Sequence, residues 1–135
     1  GVARDINGIG YFGYAYYIEN KDKLKGLPIV NPKTNQPVSP SAETVMDGTY
    51  QPLARPIFIY VNAKSVQRPE VKEFIEYYMK NSEALIREVK YVPLPAKAYA
   101  YNMEVIRKMV LGTKFEGENK VGLTIDELMK LEAKL

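Results

Sequence analysis

Few residues in this 135-residue chain can do chemistry by type. It has no Cys and no His, which removes thiol and imidazole nucleophiles, histidine general bases and the usual zinc ligands. The carboxylates offer no pair suited to acid–base work. Glu70, Glu73 and Glu76 fall on the polar side of an amphipathic pattern, where a solvated face is expected. No spacing fits a metal-ligand set. Catalytic residues and metal ligands are therefore both read as none, and the chain is not read as an enzyme. The segment "GIGYFG" holds three glycines but is read as lacking the Gly-x-Gly-x-x-Gly spacing and is not followed directly by a long helix, so it is not read as a phosphate loop. Arg4 and Asp5 read as a solvated turn. Arg55 stands just before the most apolar run of the chain, where an arginine needs a partner or an anion. A structural ion pair is the favoured role; Arg55 is otherwise the one weak ligand-binding candidate.

The aromatic stretch "NGIGYFGYAYY", residues 7–17, could in principle stack bases. That use needs interleaved cations, and residues 6–18 contain none. A strand and helix packed into a core, with tyrosine hydroxyls at its edge, is the better reading. Charge agrees. The net charge is +3, with eight Lys/Arg against five Asp/Glu in residues 1–69 and eleven against eleven in residues 70–135. No basic half exists, and no nucleic-acid partner is expected. Composition, at 46% hydrophobic and 26% charged, is that of an ordinary globular domain. No run of 18 apolar residues is present and no signal peptide is visible. Since the chain begins at Gly1, a processed product and a fragment both stay open.

These residues must be positioned by a chain that changes texture midway. Residues 6–12 read as a short strand, and 13–20 as a short helix. "LPIV" is a strand and "NPKTNQP" a turn. "SPSAETVMDG" signals a two-turn helix, with Ser39 as cap, Pro40 at the first position and Gly48 past the end. Ile57–Val61 is apolar without alternation and predicts a strand buried on both faces. Helices are expected over 69–81, 82–89 and 96–111, the last stopped by Gly112. Thr124 with Glu127 predicts a capping box for a last helix. Composition and pattern define an α/β piece and no reaction.

Three segments carry a resemblance. "INGIGYFGYAYY", "VSPSAETVMDGTYQPLARPIFIYVN" and "RPEVKEFIEYYM" resemble, in order and spacing, the C-terminal part of phosphate-binding proteins of bacterial phosphate ABC importers, the cyanobacterial type above all. The resemblance covers about residues 2–110. It implies the fold class α/β, as the C-terminal portion of a type II periplasmic binding protein, two-lobed with a mixed sheet and flanking helices. Residues 1–52 would end the second lobe, 53–62 would be the hinge-crossing strand, and 63–135 would be helices completing the first lobe. "IGYFGYAYY" would pack near the cleft, with Gly10 and Gly13 allowing close backbone approach.

The implied function is that of a phosphate-binding solute receptor, with no cofactor. The alternative is a stand-alone interaction or sensor module of the same fold lacking an anion site. The implied partners are inorganic phosphate in the complete protein, the membrane permease of the importer, and either the N-terminal remainder or a second copy. The implied location is the periplasm, or a membrane anchor on the cell exterior. The family's phosphate ligands include an Arg followed by Ser-Gly-Thr. They lie upstream of the matched part, and no such motif occurs here, so no ligand residue carries over.

Overall fold

The elements follow local chemistry closely in the second half of the chain. The computed structural model describes residues 1–115, 118, 120 and 122–134. Helix α3 runs Pro69–Glu88, with Pro69 at the start, where its missing N–H has no intrahelical partner to lose. Its inner face buries Ile75, Met79 and Ser82. Helix α4, Ala96–Arg107, buries Ala98 and packs against α3. The sequence predicts a break between residues 81 and 82, and the structure has none. Ser82 Oγ donates to the Tyr78 carbonyl one turn back, so the serine bonds within one helix instead of capping a second. The prediction also extends α4 to residue 111. The helix ends at Arg107, and Met109 takes the left-handed conformation (φ 51°) that a glycine usually supplies at such an end. Gly112, also at positive φ, lies three residues further on.

Helix α5, Ile125–Lys130, has both halves of the predicted capping box. Its other end is held by Lys114. That ammonium donates to the Leu128 carbonyl (2.9 Å), the Met129 carbonyl (3.2 Å) and the Tyr101 hydroxyl. A cation here faces the negative end of the helix. Thr113 and Lys134 pair antiparallel and bring the tail back beside α4's exit.

The first half is lighter. Helix α1 is Tyr14–Ile18 and α2 is Ala42–Met46. Between them β1 (Ile29–Val30) pairs antiparallel with β2 (Pro37–Val38), in the register Ile29 to Val38. The cap of α2 is Ser41, not the predicted Ser39, because Thr44 completes a box with Ser41. Gly48 sits just past the helix at φ 79°, as predicted. Asn31 ties the hairpin down: it is buried, and its amide donates to the Thr49 carbonyl at 2.8 Å.

Two predicted strands do not form. Residues 8–13 and 55–62 take no regular secondary structure, and neither belongs to a ladder among the described residues. The burial predicted for Ile57–Val61 is also overturned. Ile57 is 79% exposed and Tyr60 87%, and Phe58 and Ile59 are exposed as well. The reason is topological. A strand needs neighbours, and the described residues supply a single two-residue ribbon. The surface records the same fact: the chain exposes 10187 Å², whereas a compact chain of 15.3 kDa exposes about 7,100 Å².

Candidate functional site

The N-terminal aromatics divide between two roles. Tyr14 and Tyr17 are half-buried, with ring centroids 6.1 Å apart, and the Tyr50 hydroxyl donates to the Leu27 carbonyl (3.2 Å). Burial raises the Tyr14 phenol above its ordinary pKa; the nearby Tyr17 adds to this and a hydrogen bond with the Ala42 backbone opposes it. Burial likewise raises Tyr50, and it raises Tyr99, whose oxygen accepts the Leu94 N–H at 2.9 Å. Phenols held this way stay protonated at neutral pH and do not serve as bases. Tyr11 and Tyr16, by contrast, are 72% and 64% exposed. The reading of the whole stretch as core therefore holds for Ala15, which is buried, and for the half-buried Tyr14 and Tyr17.

The glycines of this stretch also divide. Gly8, Gly10 and Gly13 do stand at Gly-x-Gly-x-x-Gly spacing. The context a dinucleotide loop needs, a strand before and a long helix after, is missing: residues 8–13 follow no strand and α1 has five residues. Close approach is found at Gly10, where an added Cβ would lie 2.7 Å from Val2 Cγ2. It is not found at Gly13, where a Cβ would meet only Tyr16 Cδ2, at 3.7 Å.

Asp5 accepts from the Asn7 N–H in a local turn (3.0 Å), in keeping with a solvated Arg4–Asp5 turn. Arg55 is exposed, and its Nη1 donates to the Tyr11 hydroxyl at 3.5 Å. It forms no ion pair among the described residues, so the favoured structural pairing is corrected. The segment it precedes never becomes a buried strand, and no carboxylate is drawn in. The guanidinium lies on a large hollow of about 2130 Å³ that separates the N-terminal arm from α3 and α4. Ile57–Val61 and the Tyr99 ring line it too. Small-molecule pockets are usually about 300–1,000 Å³, so the hollow is too large and too open to enclose one small anion.

Nothing in the sequence pattern marks Gln51. Its side chain is 3% exposed. Its amide nitrogen donates to the Ala54 carbonyl (3.1 Å), while Oε1 is buried without a partner among the described residues. Among the described residues no cluster of acidic side chains could hold a metal, and no helix is long and apolar enough to cross a membrane. What the arrangement provides is a largely apolar hollow with five cationic residues on its lining, Arg4, Lys23, Lys25, Arg55 and Lys114.

The comparisons relate the chain to part of longer bacterial proteins, one of which is named as a phosphate-binding protein. In particular it is 48% identical over 132 residues to Protein SphX of Synechococcus elongatus and 44% identical over 134 residues to Protein SphX of a Synechocystis species, each match covering 98% of this chain. It is 36% identical over 110 residues, 81% of the chain, to Phosphate-binding protein PstS of Staphylococcus aureus. The chain spans 39% of the length of each SphX and 33% of PstS. No protein-family model matches it, and no solved structure matches it significantly.

Proposed function

We propose that this chain is the C-terminal portion of a phosphate-binding solute receptor serving an ABC phosphate importer. The observation that carries the reading is the match to SphX along 98% of the chain at 48% identity. In the complete receptor, phosphate is held between two α/β lobes and passed to a membrane permease, in the periplasm or at an anchored position outside the cell. Residues 1–52 close the second lobe, 53–62 cross the hinge, and 63–135 complete the first. No bond is made or broken: lobe closure follows from ligand contacts made in the closed state. Arg55, an exposed guanidinium on the hollow whose Nη1 donates to the Tyr11 hydroxyl, is the candidate of this chain to meet the anion. The large exposed apolar surface counts against the alternative of a self-sufficient sensor module.

The test is calorimetric titration with phosphate, with sulfate as the control anion. The complete polypeptide is expected to bind phosphate selectively, and this chain alone to give no heat. Selective binding by the 135 residues alone would mean that the whole site lies here. No binding by the complete polypeptide would remove the receptor reading.

A further inference from the structure

We infer that α5 and the loop leading into it from Gly122 form a strap between the two lobes of the receptor, which favours the closed arrangement through Lys33 and Glu127. The inference rests on the receptor reading, which places residues 1–52 in the second lobe and 63–135 in the first. Helix α5 is fastened firmly to the first. At its start Asp126 pairs with Lys97 of α4 at 2.6 Å. At its end the Lys114 ammonium donates to the Leu128 and Met129 carbonyls and stands over the Tyr101 ring of α4, 4.3 Å from its centre. The attachment to residues 1–52 is of a different kind. Gly48 and Gly122, both at positive φ, let two turns come together. A Cβ on Gly48 would lie 3.6 Å from Thr124 Cα, and one on Gly122 would lie 3.9 Å from both Gln51 Oε1 and Lys33 Cε. Across this seat the Lys33 ammonium reaches both carboxylate oxygens of Glu127, each at 3.4 Å.

Place and length distinguish this contact from an ordinary surface pair. Between the described residues of 1–52 and those of 63–133, the hydrogen bonds and ion pairs are those of Lys33 with Glu127. A contact between two bodies that move shifts their equilibrium only by the difference in its strength between the two arrangements. Here the pair is slack. Charge-assisted N–H···O bonds settle at about 2.7–2.9 Å, so an ammonium at 3.4 Å from both oxygens has room to tighten as the lobes approach. Both side chains are about half exposed, and solvent keeps such a pair weak. The pair also stands clear of the hollow: Leu123, Ile125, Leu128 and Met129 line it, and Lys33 and Glu127 do not. What the strap alters is closure, with no contact to the anion.

The test is phosphate titration of the complete polypeptide, of its Lys33→Gln and Glu127→Gln variants, and of the double variant. Glutamine at position 127 still completes the capping box, so α5 keeps its start. Each single variant is expected to bind phosphate more weakly by about 1.5- to 5-fold, the range open to an exposed pair. The two changes move the net charge in opposite directions, so a loss in both does not come from long-range attraction of the anion. The double variant is expected to bind as the single ones do, because the pair is already broken in each. In about 1 M salt, where the screening length is about 3 Å, the differences should vanish. Affinity unchanged or raised in the single variants would overturn the inference, and so would losses that add in the double variant. The receptor reading fails by a different result: a parent polypeptide that binds no phosphate removes that reading and, with it, the closure on which the strap acts.

Discussion

At Gly26 the chain has no room for a side chain. A Cβ there would lie 2.7 Å from the Tyr17 hydroxyl oxygen and 2.8 Å from Pro40 Cγ. Neither neighbour yields easily: the phenol is rigid and the proline ring is fixed to the backbone just ahead of α2. Gly26→Ala should therefore destabilise the fold by about 1–3 kcal/mol, the usual range for forced overpacking. Gly13 is the contrast. It caps α1 with φ −62°, and an added Cβ would make only an ordinary contact, with Tyr16 Cδ2 at 3.7 Å. A serine there could accept a free N–H of the first turn, so Gly13→Ser should be neutral within about 0.5 kcal/mol or mildly stabilising. Urea melts of the two variants decide it, and equal losses would refute the steric account. Reading the sequence identified Gly10 and Gly13 as the close approaches and missed Gly26. The contact at Gly26 is made by Tyr17 and Pro40, nine and fourteen residues away along the chain, and nothing local to "KGLP" announces it.

Among the elements, α5 depends most visibly on two side chains. Thr124 Oγ accepts the Glu127 N–H (3.2 Å), while a Glu127 carboxylate oxygen accepts from the Thr124 N–H (2.8 Å) and from its hydroxyl (3.0 Å). The Thr124 backbone bond is the largest cause holding the Glu127 pKa below 4.5; the hydroxyl and the Lys33 ammonium add to it. A carboxylate depressed in the folded state contributes stability above its unfolded pKa, and that contribution is lost as pH falls through the lower folded value. Helix α5 should accordingly hold its cap at neutral pH and fray below about pH 4.5 as Glu127 takes up its proton. Thr124→Ala should move the Glu127 titration back toward its ordinary value without restoring it fully, since the backbone donor remains. It should also weaken the helix by about 0.5–2 kcal/mol. Carboxyl-carbon NMR shifts of Glu127 against pH test both. A midpoint unmoved by the variant would mean that the hydroxyl does not hold the carboxylate.

That box was legible because all its chemistry sits within four residues. The errors at other helix ends have the same root. Ser82 and Ser39 have the right type for caps, but Ser82 bonds back to Tyr78 and Ser41 takes the α2 cap. Composition cannot rank two serines that compete for one role. Strands were less legible still. The pattern at Ile57–Val61 is a strand pattern, and its burial depends on neighbours that these residues do not contain. Arg55 was singled out correctly as unusual, yet the carboxylate expected beside it is absent among the described residues, because the buried setting that would demand one is not built here.

For the whole molecule, open surface has a thermodynamic consequence. An unfolded chain of 15.3 kDa exposes about 22,000 Å², and a compact one of this mass buries about 15,000 Å² of it. With 10187 Å² still exposed, this chain buries about 12,000 Å², roughly four-fifths of the compact value. The heat-capacity increment and the denaturant slope both scale with buried surface. A compact 135-residue domain has a heat-capacity increment of about 1.6–2.0 kcal/mol/K, so the chain alone should show about one-fifth less, and its urea slope should fall in proportion. Apolar exposure raises heat capacity while polar exposure lowers it. Because the surface left open is largely apolar, the deficit in heat capacity should exceed the deficit in slope. Scanning calorimetry and urea melts at several protein concentrations measure both. A full compact value that does not change with dilution would mean that the chain closes its own hollow in solution and needs no other strand. A value that rises toward the compact one with concentration would mean that copies fill each other. The deficit, constant with dilution, is the signature of a core left open for the rest of its polypeptide.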